Sequence, residues 1–367
     1  MKKYNLYLVF SFISILGFSQ TRTFTLLNDV ETTEVISQGV TGTCWSFSAS
    51  SFLESEIMRI NNKQIDISEM FNVRHTYNTK AWNYVMRQGK LQFSQGGLGH
   101  DVINSIAEFG FVPNAFYTGL KEDESKHNHT KLIDTLKPVL DDFITKKITN
   151  WKTPVTAILD HKLGTPPTSF YYNGVNYTPL SFMKSLKIEP KNYVSLTSFT
   201  HKPYNTKFVL NIPDNFSNGS FYNVSLPDLV ATTINALQKG YSIELDCDVT
   251  EKTFSSKYGV AILPTETLKE AKNITQLTTE ITVTPELRQQ EFENYNTTDD
   301  HLMHITGYLK DQNGKIYFKV KNSWGTKDKA HGGYIYMSET YFKMKTISIL
   351  LHKEGIPRKT KKTLRID

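Results

Sequence analysis

The sequence predicts an α+β fold of two lobes, with the helices gathered in the first part of the chain and the strands in the last. Three observations lead there. Apolar residues recur at three- and four-residue steps near the start, the period shortens to that of strands after Tyr241, and the regular alternation expected of a doubly wound sheet is absent. In order, Trp45, Ala49, Phe52, Leu53, Ile57 and Ile60 predict a helix from Cys44 to Ile60, stopped by Asn61-Asn62. Ile67-Ser68-Glu69-Met70 predicts a second helix start with Ser68 as its cap. Ser94 to Gly99 has three glycines in four residues, which suits a loop that something must approach closely. Val102, Ile103, Ile106 and Phe109 share one helical face, and Gly110 closes that helix.

The stretch 121–225 opens polar and differs in character from its surroundings. Leu132, Ile133, Leu136, Val139, Leu140 and Phe143 mark a helix within it, followed by the loop Gly164-Thr165-Pro166-Pro167 and short aromatic segments. Pro227 to Gln238 reads as a further helix. Ser242 to Val249, Met303 to Lys310, Lys315 to Lys321 and Gly333 to Met337 read as strands, with a hairpin turn at Asp311-Gln312-Asn313-Gly314.

Residues 1–19 read as an export signal: Lys2 and Lys3, the apolar run Leu6 to Leu16, then small residues suited to cleavage. An uncleaved anchor is the alternative, and no other segment is apolar for long enough to cross a membrane. The organisation expected is 20–120 as a helical lobe, 121–225 as an inserted subdomain, 226–345 as a β-rich lobe and 346–367 as a basic tail. Loss of Lys2 and Lys3 lowers the formal charge from +6 to +4. That mild excess and the basic run Arg358 to Arg365 suit a solvated tail rather than a nucleic-acid surface. The two cysteines sit in unlike settings. Cys44 precedes Trp45 at a helix start, whereas Cys247 lies in an apolar strand and reads as a small core residue.

Three segments carry chemistry: Gln38 to Phe47, Asp300 to Tyr308, and Lys321 to Gly325. A thiol at a helix N-terminus faces open N–H groups and the positive end of the dipole, which favour its thiolate. A histidine near it can take and return the proton. An asparagine carbonyl can fix that ring, and the Cys44 N–H with the Gln38 side-chain amide can serve a developing oxyanion. His301 and His304 compete for the role of base, since residues three apart on a strand face opposite ways. A two-histidine metal site lacks an evident third ligand.

Gln38…Cys44-Trp45, His301 and Asn322-Ser323-Trp324-Gly325, in that order, resemble the papain-like cysteine peptidases. Thr41 stands where the family signature has a cysteine, and the separation 301 − 44 = 257 requires a large insertion, for which 121–225 is the place. Both departures fit the bleomycin hydrolase and aminopeptidase C branch. Gly164 to Phe170, Tyr177 to Phe182, His201-Lys202-Pro203-Tyr204 and Asp246-Cys247-Asp248-Val249 also resemble that branch. The resemblance implies Cys44 as nucleophile, His301 as base, Asn322 as its orienter and Gln38 as oxyanion donor. It further implies Trp324 as a shield for the Asn322–His301 bond, and Gly96 and Gly97 as the backbone that pairs with substrate. It implies a peptide substrate and an aminopeptidase activity with no cofactor and no metal. A homo-hexamer follows from the same branch, as does a chain terminus, here Asp367, that fills part of the cleft. An open-cleft endopeptidase and a weakly active exported peptide-binding protein are the alternatives.

Overall fold

The computed structural model describes residues 20–367, so the export signal expected over 1–19 lies outside the described residues. The chain enters through strand β1 (Phe24–Asp29) and then runs into α1 (Cys44–Asn61), α2 (Glu69–Met86) and α3 (Gly99–Phe109). Ser68 caps α2 by accepting the Phe71 N–H (3.0 Å). Gly110 ends α3 at φ 74°, and the Pro179 backbone lies where a side chain would stand.

Helices α4 (Leu132–Lys146) and α5 (Lys152–Leu163) follow, then the hairpin β2 (Phe170–Tyr172) and β3 (Val175–Tyr177) and the short α6 (Pro179–Ser185). Strands β4 (Tyr193–Thr197), β5 (Thr206–Val209) and β6 (Ser220–Asn223) lead to α7 (Leu226–Gln238). The last third holds β7 (Ile243–Cys247), the short β8 (Phe254–Ser255) and β9 (Val260–Ala261), then α8 (Pro285–Glu293) and β10 (His301–Asp311). It ends with β11 (Ile316–Lys321), β12 (Tyr334–Ser338), α9 (Glu339–Lys345), β13 (Thr346–His352) and α10 (Arg358–Leu364).

One sheet runs in the order β5-β6-β4-β13-β7-β10-β11-β12-β9-β8, with β1 paired to the far half of β10. Its two faces build different cores. Leu302, Ile347 and Leu350 pack with α1, α2 and α3, while Leu245, Met303, Ile305, Val320 and Ile349 pack with α7 and α9. Period-two alternation along β10 and β13 therefore assigns each strand to both lobes at once. This is the α+β, papain-like arrangement, and the cleft lies where the N-terminus of α1 meets the start of β10.

Two of the expected boundaries need correction. The stretch 121–225 is not a self-contained insertion. Leu136, Leu140, Val155 and Leu159 join the core of the helical lobe, and β4 to β6 extend the sheet. Nor is 346–367 a solvated tail from its first residue. Every residue of β13 is buried, because it fills the slot between β4 and β7. Only α10 carries the basic surface, and it too is anchored, by Leu364 in the barrel core. Among the described residues, no helix is long and apolar enough to cross a membrane.

Candidate active site

Cys44 is the first residue of α1, and no side chain caps that end. The Ser46 N–H turns back to Thr43 O (2.9 Å), so it is the N–H groups of Cys44 and Trp45 that no cap engages. The lead-in is fixed by pairing across the lobes. Gln38 N–H donates to Ser323 O (2.8 Å) and Gly325 N–H to Ile36 O (3.1 Å). Gly39 takes φ 67° there, with the His127 carbonyl 2.4 Å from where a Cβ would stand. The segment before the cysteine and the loop after Asn322 are therefore one bonded unit.

The thiol accepts the backbone N–H of Leu302, the residue after His301. This bond sets the sulfur beside the residue that carries the imidazole. His301 is buried, and its Nε2–H donates to Asn322 Oδ1 (2.8 Å). Asn322 Oδ1 also accepts the Ser323 N–H (2.7 Å), so the amide cannot be turned the other way round. The ring is then the Nε2–H tautomer, with an unprotonated Nδ1 left for the thiol side. Trp324 stacks on the imidazole at 4.6 Å between centroids, over the bond to Asn322. If Asn322 does hold this ring, Asn322→Ala should lower kcat by roughly 100-fold, the scale of a small misplacement of a reacting group, with KM little changed.

His304 points the other way. Its Nδ1 shares a hydrogen bond with Ser51 Oγ (3.0 Å) on α1, beside the Lys321 ammonium, which also bonds Ser51 Oγ (2.8 Å). It lines a separate cavity of about 200 Å³ behind Asn322 and Ser323, which also holds Glu54, Asp66 and Glu69. Those three carboxylates come within 4.8 Å of one another and are the described groups closest to a metal-ligand set. Lys321 already sets a positive charge against them. Neither His301 nor His304 belongs to that set.

Gln38 is held at both ends of its amide. Nε2 donates to Thr41 O (2.7 Å) and Oε1 accepts the Ser323 hydroxyl (2.5 Å). This fixes which end is nitrogen and leaves one N–H of Nε2 uncommitted beside the α1 N-terminus. With that N–H as an oxyanion donor, Gln38→Ala should lower kcat by roughly 100- to 1,000-fold in steady-state peptide hydrolysis.

Gly97 packs flat on the Trp45 indole, 3.1 Å from where its Cβ would stand, while Trp45 Nε1–H donates to Gln95 O (3.0 Å). Gly96 is enclosed more tightly. Its carbonyl accepts the Lys80 ammonium, and the Asp214 carboxylate lies where a Cβ would stand. Asp214 lies in the loop between β5 and β6, and its N–H donates to Asp299 Oδ2 (3.2 Å). One residue of the inserted stretch therefore touches both lips of the cleft. Sequence reasoning missed Asp214, Lys80 and Asp299. The acidic doublet Asp299-Asp300 just before His301 was the available signal, whereas nothing local marks Asp214.

Electrostatics here differ from the expectation of an activated thiolate. Burial pushes the Cys44 thiol up to about 12; the Leu302 N–H opposes this, and Asp214, Asp299 and Asp246 add to it. Burial pushes His301 down to about 4, partly offset by its bond to Asn322. Burial thus disfavours the charged form of both partners. A base must be unprotonated to act. The acid limb of kcat/KM should therefore lie near pH 4, well below the range of an ordinary histidine, as a pH–rate profile would record.

A thiol at a bare helix N-terminus, an imidazole locked by an asparagine and a positioned amide are the working parts of a papain-like cysteine peptidase. The chain belongs to the Peptidase C1-like family, whose pattern matches residues 90–367. That match begins after Cys44, but similarity to curated relatives extends further. The chain is 23% identical over 381 residues to "Aminopeptidase G" of Lactobacillus delbrueckii subsp. lactis, covering 92% of this chain and 84% of that protein. It is 24% identical over 388 residues to "Aminopeptidase E" of Lactobacillus helveticus, covering 93% and 85%. Among solved structures it is similar to PepW from Lactobacillus rhamnosis HN001, with a TM-score of 0.73 at 20% identity, covering 93% of this chain and 84% of that one. At that identity the likeness supports the fold.

Proposed function

We propose that this cysteine peptidase removes residues from free N-termini, with Cys44 as nucleophile, His301 as general base and acid, Asn322 as orienter and Gln38 as oxyanion donor. Cys44 Sγ attacks the carbonyl carbon of the first peptide bond while its proton passes to His301 Nδ1. The Cys44 N–H and the Gln38 amide receive the negative oxygen. Collapse expels the shortened peptide as an amine that takes the proton from the imidazolium, leaving a thioester on Cys44. Water then attacks the thioester, His301 again accepting a proton, and the freed amino acid leaves the thiol restored.

The observation that carries the N-terminal reading is Asp214 seated on Gly96 and bonded to Asp299. A chain running past Gly96 meets this bridge, whereas a substrate that starts there does not. The names of the relatives favour the same activity. The test compares alanyl and N-acetyl-alanyl aminomethylcoumarin amides. A strong preference for the free amine supports the reading, equal rates favour the open-cleft endopeptidase, and binding without turnover favours the peptide-binding protein. The hexamer and export remain part of this proposal. Light scattering on the purified protein, and N-terminal sequencing of protein from outside the cytoplasm, would decide them.

A further inference from the structure

One side of Cys44 carries carboxylates that the chemistry above leaves unused. Strand β7 is apolar on the face toward α7, at Ile243, Leu245 and Cys247, and acidic on its other face, at Glu244 and Asp246, with Asp248 just beyond its end. The register sets Asp246 opposite Leu302, whose N–H the thiol accepts. Asp246 is fully buried, and burial holds its carboxyl well above the usual range; Oδ1 meets no N–H or hydroxyl donor, Oδ2 has a long contact from Ser348 (3.5 Å), and the nearest further partner is the Asp299 carboxyl. A buried carboxyl this poorly served is costly unless a donor arrives from elsewhere.

Two further carboxyls converge on it. Asp299 lies within carboxyl–carboxyl reach of Asp246, and its Oδ1 also lacks a donor. Asp214 bonds Asp299 through its N–H and sits on Gly96. All three lie near enough to Cys44 to raise its thiol pKa, and they come from three separate segments. Lys80, the cation that acts on Asp214, gives its ammonium to the Gly96 carbonyl. The chain's own terminus is not the missing partner. The hydrogen bonds and ion pairs of residues 353–367 reach Asn235, Lys239 and one another, and Ile366 packs on the barrel core. Leu364 and Ile366 hold the tail against α7 and its neighbours.

We propose that Asp214, Asp246 and Asp299 form a cation subsite beside Cys44 that receives the positively charged nitrogen next to the scissile residue. The nitrogen comes either from the α-ammonium of a one-residue N-terminus or from a lysine or arginine side chain one residue further back in a blocked peptide. The first source rests on the N-terminal reading above; the second does not. Three carboxyls offer the acceptors that an ammonium's three donors require, in a setting from which water is largely excluded.

The experiment measures kcat/KM of the full-length enzyme and of Asp214→Asn, Asp299→Asn and Asp246→Asn on four coumarin amides: alanyl, acetyl-alanyl, acetyl-lysyl-alanyl and acetyl-norleucyl-alanyl. The readouts are two ratios, free over blocked alanine and lysine over norleucine. Ratios are insensitive to a general loss of folded enzyme, and the half-buried Asp214 and Asp299 variants stand in if the buried Asp246 variant does not fold. A fall of roughly tenfold or more in the free-over-blocked ratio, the scale of one charge-assisted hydrogen bond, identifies the α-ammonium as the ligand. The same fall in the lysine-over-norleucine ratio identifies the side chain. In a wild type indifferent to N-acetylation, that second result would sink the N-terminal reading while leaving the subsite standing. Both ratios unchanged in the folded variants would overturn the subsite, whatever the wild type does at free N-termini.

Discussion

Cys44→Ala is expected to abolish turnover, lowering kcat on a peptide amide by about a millionfold, since removing a nucleophile that works as part of a unit costs as much as removing the unit. The side chain is small and sits at a helix start, so the fold has little stake in it. The melting transition should move little, and substrate should still bind with a KM near that of the parent enzyme. Cys247→Ala is the control. That thiol lies fully buried on β7, opposite His301 in the ladder, with its side chain in the core under α7 and α9. It should lose stability by about 1–2 kcal/mol and keep its turnover. Burst and steady-state kinetics beside a thermal melt for each variant would check both expectations. Loss of turnover in the Cys247 variant with retention in the Cys44 variant would reverse the assignment.

His301→Ala is expected to cost nearly as much, about 10⁵- to 10⁶-fold in kcat, because a thiol held near pKa 12 by burial cannot ionise unaided at neutral pH. Added imidazole should restore part of the lost rate if the gap left beside Trp324 admits it. His304→Ala separates the two histidines. It removes the bond to Ser51 and should lower stability, yet leave kcat close to the parent value. Equal losses in the two variants, without rescue, would show that neither ring is the base and that both act through folding.

Much of this site was legible in the sequence, for a physical reason. The residues proposed as nucleophile, base and orienter each sit in a short segment whose neighbours bond to one another, and local chemistry leaves a local trace. Thr43 and Cys44 mark a helix start, Asn322-Ser323 closes a turn by a bond between neighbours, and Trp324 lies two residues from the asparagine it covers. The main helices were readable because their apolar faces repeat.

What escaped notice is what depends on distant pairing. Strand β1 leaves no periodic signal because several of its residues are exposed, and its place is set by the far half of β10 rather than by its own pattern. Strand β13 was assigned to a basic tail because the lysines and arginines that follow it dominated the composition, although its own residues, Thr346 to His352, are all buried. Helices α5 and α8 carry weak amphipathic signals and are held by contacts such as Arg74 with Asp160 and Arg288 with the Thr346 carbonyl. Asp214 had no local signature, since its meaning comes only from Gly96, more than a hundred residues earlier, and Asp299, far later in the chain. The alternation Glu244, Asp246, Asp248 on an otherwise apolar strand was readable. An acidic residue at every second position of a buried strand implies a face turned toward something polar.

The electrostatic expectation failed for a related reason. A helix N-terminus does favour a thiolate, but the effect is modest beside the penalty of burial, and burial is set by the whole cleft. Burial therefore disfavours charge on both partners, pushing the thiol up to about 12 and the imidazole down to about 4.

The most direct measurement reacts the full-length protein with a peptidyl epoxide that alkylates only activated thiols, then maps the adduct by peptide mass spectrometry while turnover is followed. The account predicts one adduct per chain, on Cys44, formed in step with the loss of activity and absent in His301→Ala. An adduct on Cys247, or turnover that persists once Cys44 is fully modified, would contradict it.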